Sequence, residues 1–583
     1  EVTKNVFGGG KGGRLNNTNF TPYVLGNVIV NINGGNIGNV YGGNDAAGQP
    51  NGTDVVYLSG GTIGNCFGGG NATGQKTTDI RLQGSSIVNL FGGSNSSGTV
   101  NTSNVTVTSG NVSGNIYGGN NIGGVTTNTN VNVTGINSLG GDIYGGGSLA
   151  NCTTSNVDIG SVTVNNVYGG GERASVGTTD VSITGVTGKK VFGGSNISGD
   201  VSTSKVLINS GSFDSVYGGN NQGGTTGVTN VDIKSGTIGN VFGGGDNALS
   251  TTSNISIHDG NITNVFGGGN EAGLTTSNVD IYKGNIGNVF GGSNNAGEVS
   301  RTNVNTHDDN DDTTSTSSVL SVSLTGTATQ AQNWQSTTYS TYVPVTFAVT
   351  NTSDVLVEDW LVQLNFPTDT TIFANYSSSE FTIDNGVAII TPANKWYAPQ
   401  PFSLDPGETY TFNFEILTNT SVSNFQMTAN VLKPIDATYS SIVIGNLYGG
   451  NNLGGTAGNC FINIDEGHIG SLYGGGNEAL VNSTNVDIDN AYFNVIYGGG
   501  NAAGVNTSTY IDVDDSVVKG NIYGGGNEGT VSNNTELYLT NTSVDGSSYA
   551  GGNGSTAIVY GNTTITIDGN SVIGTEGCKS PHF

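Results

Sequence analysis

Residues Asn264–Gly273 read NVFGGGNEAG, and a version of this stretch returns about every 24 or 25 residues along most of the chain. We mark each copy by the aromatic residue that precedes its glycine pair. The markers are Phe7, Tyr41, Phe67, Phe91, Tyr117, Tyr144, Tyr168, Phe192, Tyr217, Phe242, Phe266, Phe290, Tyr448, Tyr473, Tyr497, Tyr523 and Tyr549. Self-similarity at such a period is typical of repeat proteins, in which each repeat packs on its neighbours.

A second phase of the same period predicts strands. Val157 and Val181 belong to one row, Ile159 and Ile183 lie two residues further on, and mostly polar residues stand between the two rows. This alternation indicates a strand with one buried face. No window carries an apolar stripe of helical spacing, which disfavours an α/β repeat. We therefore predict an all-β fold, a parallel β-solenoid with about 17 coils of 24–25 residues and a length of about 80 Å.

Three residue types in the repeat allow alternative interpretations. The chain contains 98 glycines, and those after each ring predict turns with positive φ or close approach between coils. The aromatic row is either an exposed stripe open to glycans or lateral packing, or part of the core, and we favour burial. The Ser/Thr row from Ser155 to Thr302 predicts hydroxyl ladders between stacked strands, with a flat array of the ice-binding type as the alternative. Asparagine rows predict side-chain amide ladders.

The composition disfavours several classes of partner. Charged residues make up 10% of the chain, and the formal net charge is −27 at pH 7. A chain so poor in Lys and Arg is a poor match for nucleic acid or anionic lipid. It also has no apolar run long enough for a transmembrane helix, so we expect no membrane insertion. Cys66 and Cys460 fall in repeat rows and predict buried thiols, and Cys66 and Cys152 are too many coils apart for a disulfide.

The period breaks once, which predicts the domain organisation. All three tryptophans lie in the break, together with alternating segments such as Val343–Val349 and Tyr410–Ile416 that are typical of an antiparallel β-sandwich. After the break, Ser440–Gly450 resumes the coil that Asn303–Thr306 left. The predicted segments are 1–306, first part of the solenoid; 307–318, an acidic Ser/Thr-rich linker; 319–434, the inserted sandwich; 435–574, second part of the solenoid; and 575–583, a tail.

The insert resembles a family-2 carbohydrate-binding module, a cellulose- and chitin-binding β-sandwich. The resemblance covers about a hundred residues and is carried by the motifs Asn333-Trp334, FAVTNTS at Phe347–Ser353, DWLVQLNFP at Asp359–Pro367, IFANYSS at Ile372–Ser378, ANKW at Ala393–Trp396 and LDPGETYTFNFE at Leu404–Glu415. It implies a flat sugar-stacking strip of Trp334, Tyr376 and Trp396, and a buried Trp360. Tyr376 stands where the family usually has tryptophan, and the family's frequent end-to-end disulfide is missing. The insert is therefore either a sugar-binding module or a spacer.

The residues suggest little catalytic chemistry. Polysaccharide-cleaving β-helix enzymes need clustered carboxylates, or carboxylates with a basic residue, whereas His258, His307, His468 and His582 are dispersed. We interpret the acidic pairs Asp514-Asp515 and Asp465-Glu466 as solvated corners. We predict no catalytic residues, no metal ligands and no cofactor. The carboxylates of the 307–318 linker allow Ca²⁺ but match no specific motif.

Taken together, the patterns predict a non-enzymatic extracellular or cell-surface structural protein. No cap helix is evident at either end, and Glu1 enters directly in a repeat, so we expect a rod that stacks head to tail with copies of itself into a fibre and displays the sandwich laterally. One alternative is a monomeric surface adhesin that binds polysaccharide through the insert. Another is a β-helix carbohydrate-active enzyme or a phage tail-spike.

Overall fold

The computed structural model describes residues 2–15, 18–307, 320–333, 335–352, 357, 360–375, 382–390, 404, 407–433 and 442–574. Within these ranges the secondary structure consists of strands, with no helix. Short β-branched segments separated by Gly and Asn favour strands over helices because their side chains pack well on a pleated surface. The all-β prediction is confirmed.

The first part of the solenoid contains 20 strands of one sheet and a separate two-stranded hairpin, β2–β3. The bounds are β1 Val2–Phe7, β2 Gly13–Leu15, β3 Thr18–Phe20, β4 Val28–Tyr41, β5 Thr53–Phe67, β6 Gln75–Phe91, β7 Thr99–Val112, β8 Ile116–Tyr117, β9 Val125–Val133, β10 Ser138–Leu139, β11 Ile143–Tyr144, β12 Cys152–Gly160, β13 Asn166–Tyr168, β14 Val176–Phe192, β15 Val201–Tyr217, β16 Thr226–Ile233, β17 Thr237–Phe242, β18 Ser250–Ile257, β19 Asn261–Phe266, β20 Leu274–Ile281, β21 Gly284–Phe290 and β22 Glu298–Thr306.

The break in the period contains eight strands in two antiparallel sheets. Their bounds are β23 Leu320–Gly326, β24 Thr329–Gln330, β25 Thr341–Asn351, β26 Leu361–Asn365, β27 Thr371–Asn375, β28 Val387–Ile390, β29 Thr409–Thr418 and β30 Thr428–Lys433. The larger sheet has the order β23-β25-β29-β27 with β24 on β25, and the smaller has the order β28-β26-β30. Side chains from both sheets share one apolar core, which includes Phe347, Trp360 and Phe414.

The second part of the solenoid contributes thirteen strands to the same sheet as the first. Their bounds are β31 Ile442–Tyr448, β32 Thr456–Ile464, β33 Gly467–Tyr473, β34 Leu480–Asp489, β35 Ala491–Tyr497, β36 Thr509–Asp514, β37 Val517–Val518, β38 Ile522–Tyr523, β39 Thr535–Thr540, β40 Ser543–Val544, β41 Ser548–Tyr549, β42 Thr563–Asp568 and β43 Val572–Ile573.

Every pairing in the 33-stranded sheet that spans both parts is parallel, and the register follows the repeat. Val157 pairs with Val181, and Val181 pairs with Val206. The coil also continues across the insert, because Phe290 of β21 pairs with Tyr448 of β31. A parallel ladder of successive coils is the architecture that the two phases of the period predict.

The side chains of each coil fill two separate apolar clusters. The aliphatic residue before each ring, such as Val40, joins a central core of valines, isoleucines and leucines. The ring that follows, such as Tyr41, belongs to a second cluster made of rings. Successive residues of a strand point to opposite faces, which is why the two neighbours enter different clusters.

The paired glycines after each ring are required by close approach between coils. A Cβ added to Gly92 would lie 2.1 Å from Ser103 Oγ and 2.4 Å from the carbonyl oxygen of Gly118 in the next coil. None of these paired glycines is among the residues with positive φ. Of the two predicted explanations, close approach is therefore correct for the glycine pairs, and positive φ occurs at other corners such as Gly48 and Gly124.

Candidate functional site

The aromatic markers form one column of seventeen stacked rings. Neighbouring ring centroids are 4.6–5.1 Å apart, and the ring planes lie within 10° of parallel. The rings from Tyr41 to Tyr448 are at most 8% exposed, so the buried interpretation of this row is confirmed. Each internal ring has both faces against its neighbours, so the column offers ring edges rather than a stacking platform for sugars.

Two ladders of side-chain amides run beside the ring column. The strand ladder lies two residues before each ring, and in it Asn264 donates to Asn240 at 2.9 Å and Asn288 donates to Asn264 at 2.8 Å. The turn ladder lies four residues after each ring. Its longest run has bonds of 2.8–2.9 Å through Asp246, Asn270, Asn294, Asn452, Asn477, Asn501, Asn527 and Asn553. These runs confirm the predicted amide ladders.

Tyrosine hydroxyls link the ring column to the turn ladder two coils away. Tyr117 donates to Glu172 Oε2 at 2.7 Å, and the amide of Asn196 donates to the Tyr144 hydroxyl at 2.8 Å. Burial raises the pKa of the Tyr448 and Tyr497 phenols to about 12. The phenols are thus held neutral, and the column behaves as packed interior rather than as an acid–base site.

The Ser/Thr row lies inside the coils and not on a flat outer face. Ser155, Thr179 and Ser204 are 0% exposed, and each donates to the carbonyl of the glycine 14 residues further on at 2.6 Å. The prediction that these hydroxyls bond one another in ladders between stacked strands was wrong. They donate instead to glycine carbonyls across the coil, because the glycine pair brings that carbonyl within reach. A buried row also removes the ice-binding alternative.

One cluster that sequence reasoning missed is a stack of His258, Tyr282 and His307 on the outer face. Its ring centroids are 4.8 and 4.7 Å apart. His307 Nε2 lies 2.9 Å from Asp280 Oδ1, and His258 Nε2 lies 3.4 Å from Asp232 Oδ1. The three rings share one phase of the repeat, and that spacing was the available signal. The two histidine side chains are about one-third exposed and remain in contact with solvent.

The predicted acidic corners are only partly as expected. Asp515 is exposed, but Asp514 belongs to strand β36 and Glu466 is 2% exposed. The prediction of a solvated corner was wrong for Glu466, because the turn after β32 folds its side chain inward. In the described part of the chain, no group of three or more His, Cys, Asp or Glu side chains is placed to hold a metal ion.

Cys66 and Cys460 are buried as their rows predict, and Cys152 is buried as well. Cys66, Cys152 and Cys460 are buried free thiols, and burial raises the pKa of each thiol above its ordinary value. A raised pKa makes these thiols poor nucleophiles. Cys578 lies outside the described residues.

The predicted sugar-stacking residues Trp334, Tyr376 and Trp396 all lie outside the described residues, as does the 308–318 part of the linker. Trp360 is 1% exposed, so its predicted burial is confirmed. Its ring lies in the shared core between the two sheets, 6.3 Å from Tyr410.

No protein-family model matches the chain, and no curated protein matches it. The likeness of the insert to a carbohydrate-binding module therefore remains a resemblance in sequence motifs. Across the residues that the structure describes, we find no helix that is both long and apolar enough to span a membrane.

Proposed function

We propose that the chain is a non-enzymatic structural rod of the cell surface or extracellular space, which stacks head to tail with copies of itself into a fibre. The observation that carries this proposal is the exposure of core rows at β42. Ile565 and Ile567 are 37% and 50% exposed, whereas Leu537 and Leu539, their partners on β39, are 0% and 1% exposed. Among the described strands, β42 pairs with β39 alone.

A second copy fits this edge because the rows at the opposite end of the rod are the same rows. The rows of Ile565 and Ile567 begin on β4 with Val30 and Ile32, in a stretch that pairs with β5 alone among the described strands. The ring column and the strand ladder begin on β1 with Phe7 and Asn5. Tyr549 is the last ring of the column, and it is 45% exposed. Backbone pairing between edge strands supplies affinity, and continuous rows supply the register.

The interior of the rod supports a structural role. Each coil bonds its neighbours through backbone, amide and ring contacts, and such one-dimensional stacking gives a stiff body with many equivalent interfaces. The groups with shifted pKa values in the ring column are shifted by burial, which is typical of packing rather than of a catalytic cleft. The low content of charged side chains suits an extracellular polymer.

Electron microscopy of the purified chain tests the assembly. We expect long fibres for the wild type and single rods of about 80 Å for the double substitution of Ile565 and Ile567 by Asp, because two carboxylates would be buried at the junction. Val228→Asp is the matched control, since Val228 is 37% exposed on β16, an internal strand that pairs with both β15 and β18, and it should still form fibres. Single rods for the wild type, or fibres from the double variant, would contradict head-to-tail stacking through this edge.

A surface adhesin that binds polysaccharide through the insert is the second candidate, favoured by the buried Trp360 at the place the resemblance assigns to a core tryptophan. Sedimentation with insoluble cellulose and chitin tests it. Binding that is lost in the Trp334→Ala, Tyr376→Ala and Trp396→Ala variants, but kept in Tyr538→Ala on the solenoid, would support the adhesin. Wild-type protein that stays in the supernatant would leave the insert as a spacer.

A further inference from the structure

One position of the inward Ser/Thr row carries an acid instead of a hydroxyl. Asp54 on β5 pairs with Thr78 on β6 and is 0% exposed. Thr78 donates to the carbonyl of Gly92 at 2.6 Å. The glycine aligned with Gly92 in the coil of Asp54 is Gly68, again 14 residues further on. By its alignment with Thr78, the acceptor that corresponds to Asp54 in this row is the Gly68 carbonyl.

The chemistry of that position requires a donor. A backbone carbonyl accepts hydrogen bonds, and an ionised carboxylate also only accepts, whereas a protonated carboxyl group has one O–H to donate. Elsewhere in the row the bond runs from hydroxyl to glycine carbonyl, for example from Ser103 to Gly118 at 2.6 Å. Only the neutral acid reproduces that bond.

The side chains described around Asp54 include no positive charge. The groups that face it are Val28 of β4, Thr78 of β6, Gly43 of the glycine turn and Gln75, and none of them titrates or carries a charge. Neither oxygen of Asp54 accepts a hydrogen bond from a described residue. Burial alone raises the pKa of the carboxyl group to about 8.

Gln75 marks the same polar spot. Its amide nitrogen and Asp54 Oδ2 lie 2.0 and 2.8 Å from the place that a Cβ would take on Gly43. The side chain is 0% exposed, and neither its amide nitrogen nor its amide oxygen has a hydrogen-bond partner among the described residues. A buried acid and a buried amide thus converge on one glycine. Burying either group without a hydrogen bond costs free energy of folding, so we interpret their pairing at this position as a specific feature of the coil.

We propose that Asp54 stays protonated in the folded rod and donates a hydrogen bond to the Gly68 carbonyl. It thereby acts as a pH-sensitive latch: the bond stabilises the packing of the coils that contain β4, β5 and β6 in acid, and its loss in alkali weakens that packing. In the unfolded chain an aspartic acid ionises near pH 4. The folded state thus holds the extra proton between about pH 4 and 8, and the stabilisation falls as pH rises across that window. Unlike the head-to-tail proposal, this one concerns a single copy of the chain.

Infrared spectroscopy and hydrogen exchange test the latch on the full chain. At pH 6 the difference spectrum of wild type minus Asp54→Asn should contain the C=O band of one protonated carboxylic acid. Exchange at Val55, Val56 and the Gly42–Gly43 amides, divided by the intrinsic rate, should rise at least tenfold from pH 5 to pH 9 in the wild type. The Asp54→Thr variant, which restores the row residue and so should fold, should show no such rise, and nor should Asp54→Asn.

Asp180→Asn is the matched control, because the Asp180 side chain is 44% exposed on the outer face of β14. It should keep the wild-type dependence on pH. Equal exchange profiles for wild type and Asp54→Thr would overturn the latch, as would the absence of the carboxylic acid band. A band without the rise in exchange would overturn the switch and leave Asp54 as a static neutral acid.

Discussion

At the scale of single residues, two features recur in most coils: a hydrogen bond from an inward Ser or Thr hydroxyl to a backbone carbonyl, and a glycine whose missing Cβ leaves room for the next coil. Most inward Ser and Thr hydroxyls donate to a glycine carbonyl, although Thr535 donates to that of Ala550, and the glycines lack a Cβ, which lets the coils approach. Thr229 donates to the carbonyl of Gly243 at 2.6 Å, and a Cβ on Gly243 would lie 2.4 Å from the carbonyl oxygen of Gly267. Where a further coil packs on the glycine, as at Gly243, the two residue types are therefore coupled.

This coupling predicts the effect of a single methyl group. Gly92→Ala should lower the free energy of unfolding by about 1–3 kcal/mol, because its Cβ would overlap Ser103 Oγ and a backbone carbonyl that has little room to move. Gly160→Ala is the matched control, since nothing lies within 4 Å of its Cβ position. Urea unfolding followed by circular dichroism compares the two. Equal midpoints for both variants would contradict the close-approach explanation.

At the scale of elements, the ring column is a second core that lies beside the aliphatic one. Phe266 lies between Phe242 and Phe290 at 4.8 and 5.0 Å and is 3% exposed. Stacked pairs contribute about 0.5–1.5 kcal/mol each beyond burial. The column therefore ties each coil to both neighbours in addition to the backbone ladder.

Substitutions at Phe266 should separate the effect of losing the ring from the effect of adding a hydroxyl group to it. Phe266→Ala should cost about 3–5 kcal/mol, because it leaves a cavity and breaks two stacked pairs. Phe266→Tyr should cost less than about 1 kcal/mol, since Asn452 stands where Asn196 meets the Tyr144 hydroxyl, two coils on in the turn ladder. Urea unfolding measures both, with Tyr538→Ala on the outer face as control. A loss as large for Tyr as for Ala would mean that the column tolerates no hydroxyl at this coil.

The strands and corners of the coil also show which features the sequence can predict and which it cannot. The period fixes which residues stack, so the rows of Val157, of Asn264 and of Phe266 were all predictable. The period does not say what lies opposite a row inside the coil, which is why the bond from Ser155 to the Gly169 carbonyl was missed. It also does not fix how a corner folds, and Glu466 was misassigned for that reason. The predicted sugar-stacking residues stay predictions.

At the scale of the whole molecule, the insert interrupts a coil that is otherwise complete. Thr306 pairs with Ile281, and Ile442 pairs with Gly284, so the two cut ends lie at the two sides of one corner. In the neighbouring coil, Tyr282 and Lys283 alone bridge that corner. Joining residue 307 to residue 441 would place two residues between Thr306 and Ile442, the same number. The strands on both sides of the insert are thus already in the register that an uninterrupted coil would need.

We therefore expect a chain that lacks residues 308–440 to fold as an uninterrupted solenoid. The backbone ladders between β21 and β31 and between β22 and β32 hold the register without the insert, and a short loop costs less closure entropy than a long one. Hydrogen exchange should show the amides of β21, β22, β31 and β32 as protected as in the full chain. A matched control deletes 309–440, which leaves one residue more in the corner and should fold with slightly weaker protection there. Loss of protection along these four strands in both deletions would mean that the insert itself organises the coil into which it is placed. If the first deletion also forms fibres under the electron microscope while losing all sedimentation with cellulose or chitin, assembly and sugar binding belong to different parts of the chain.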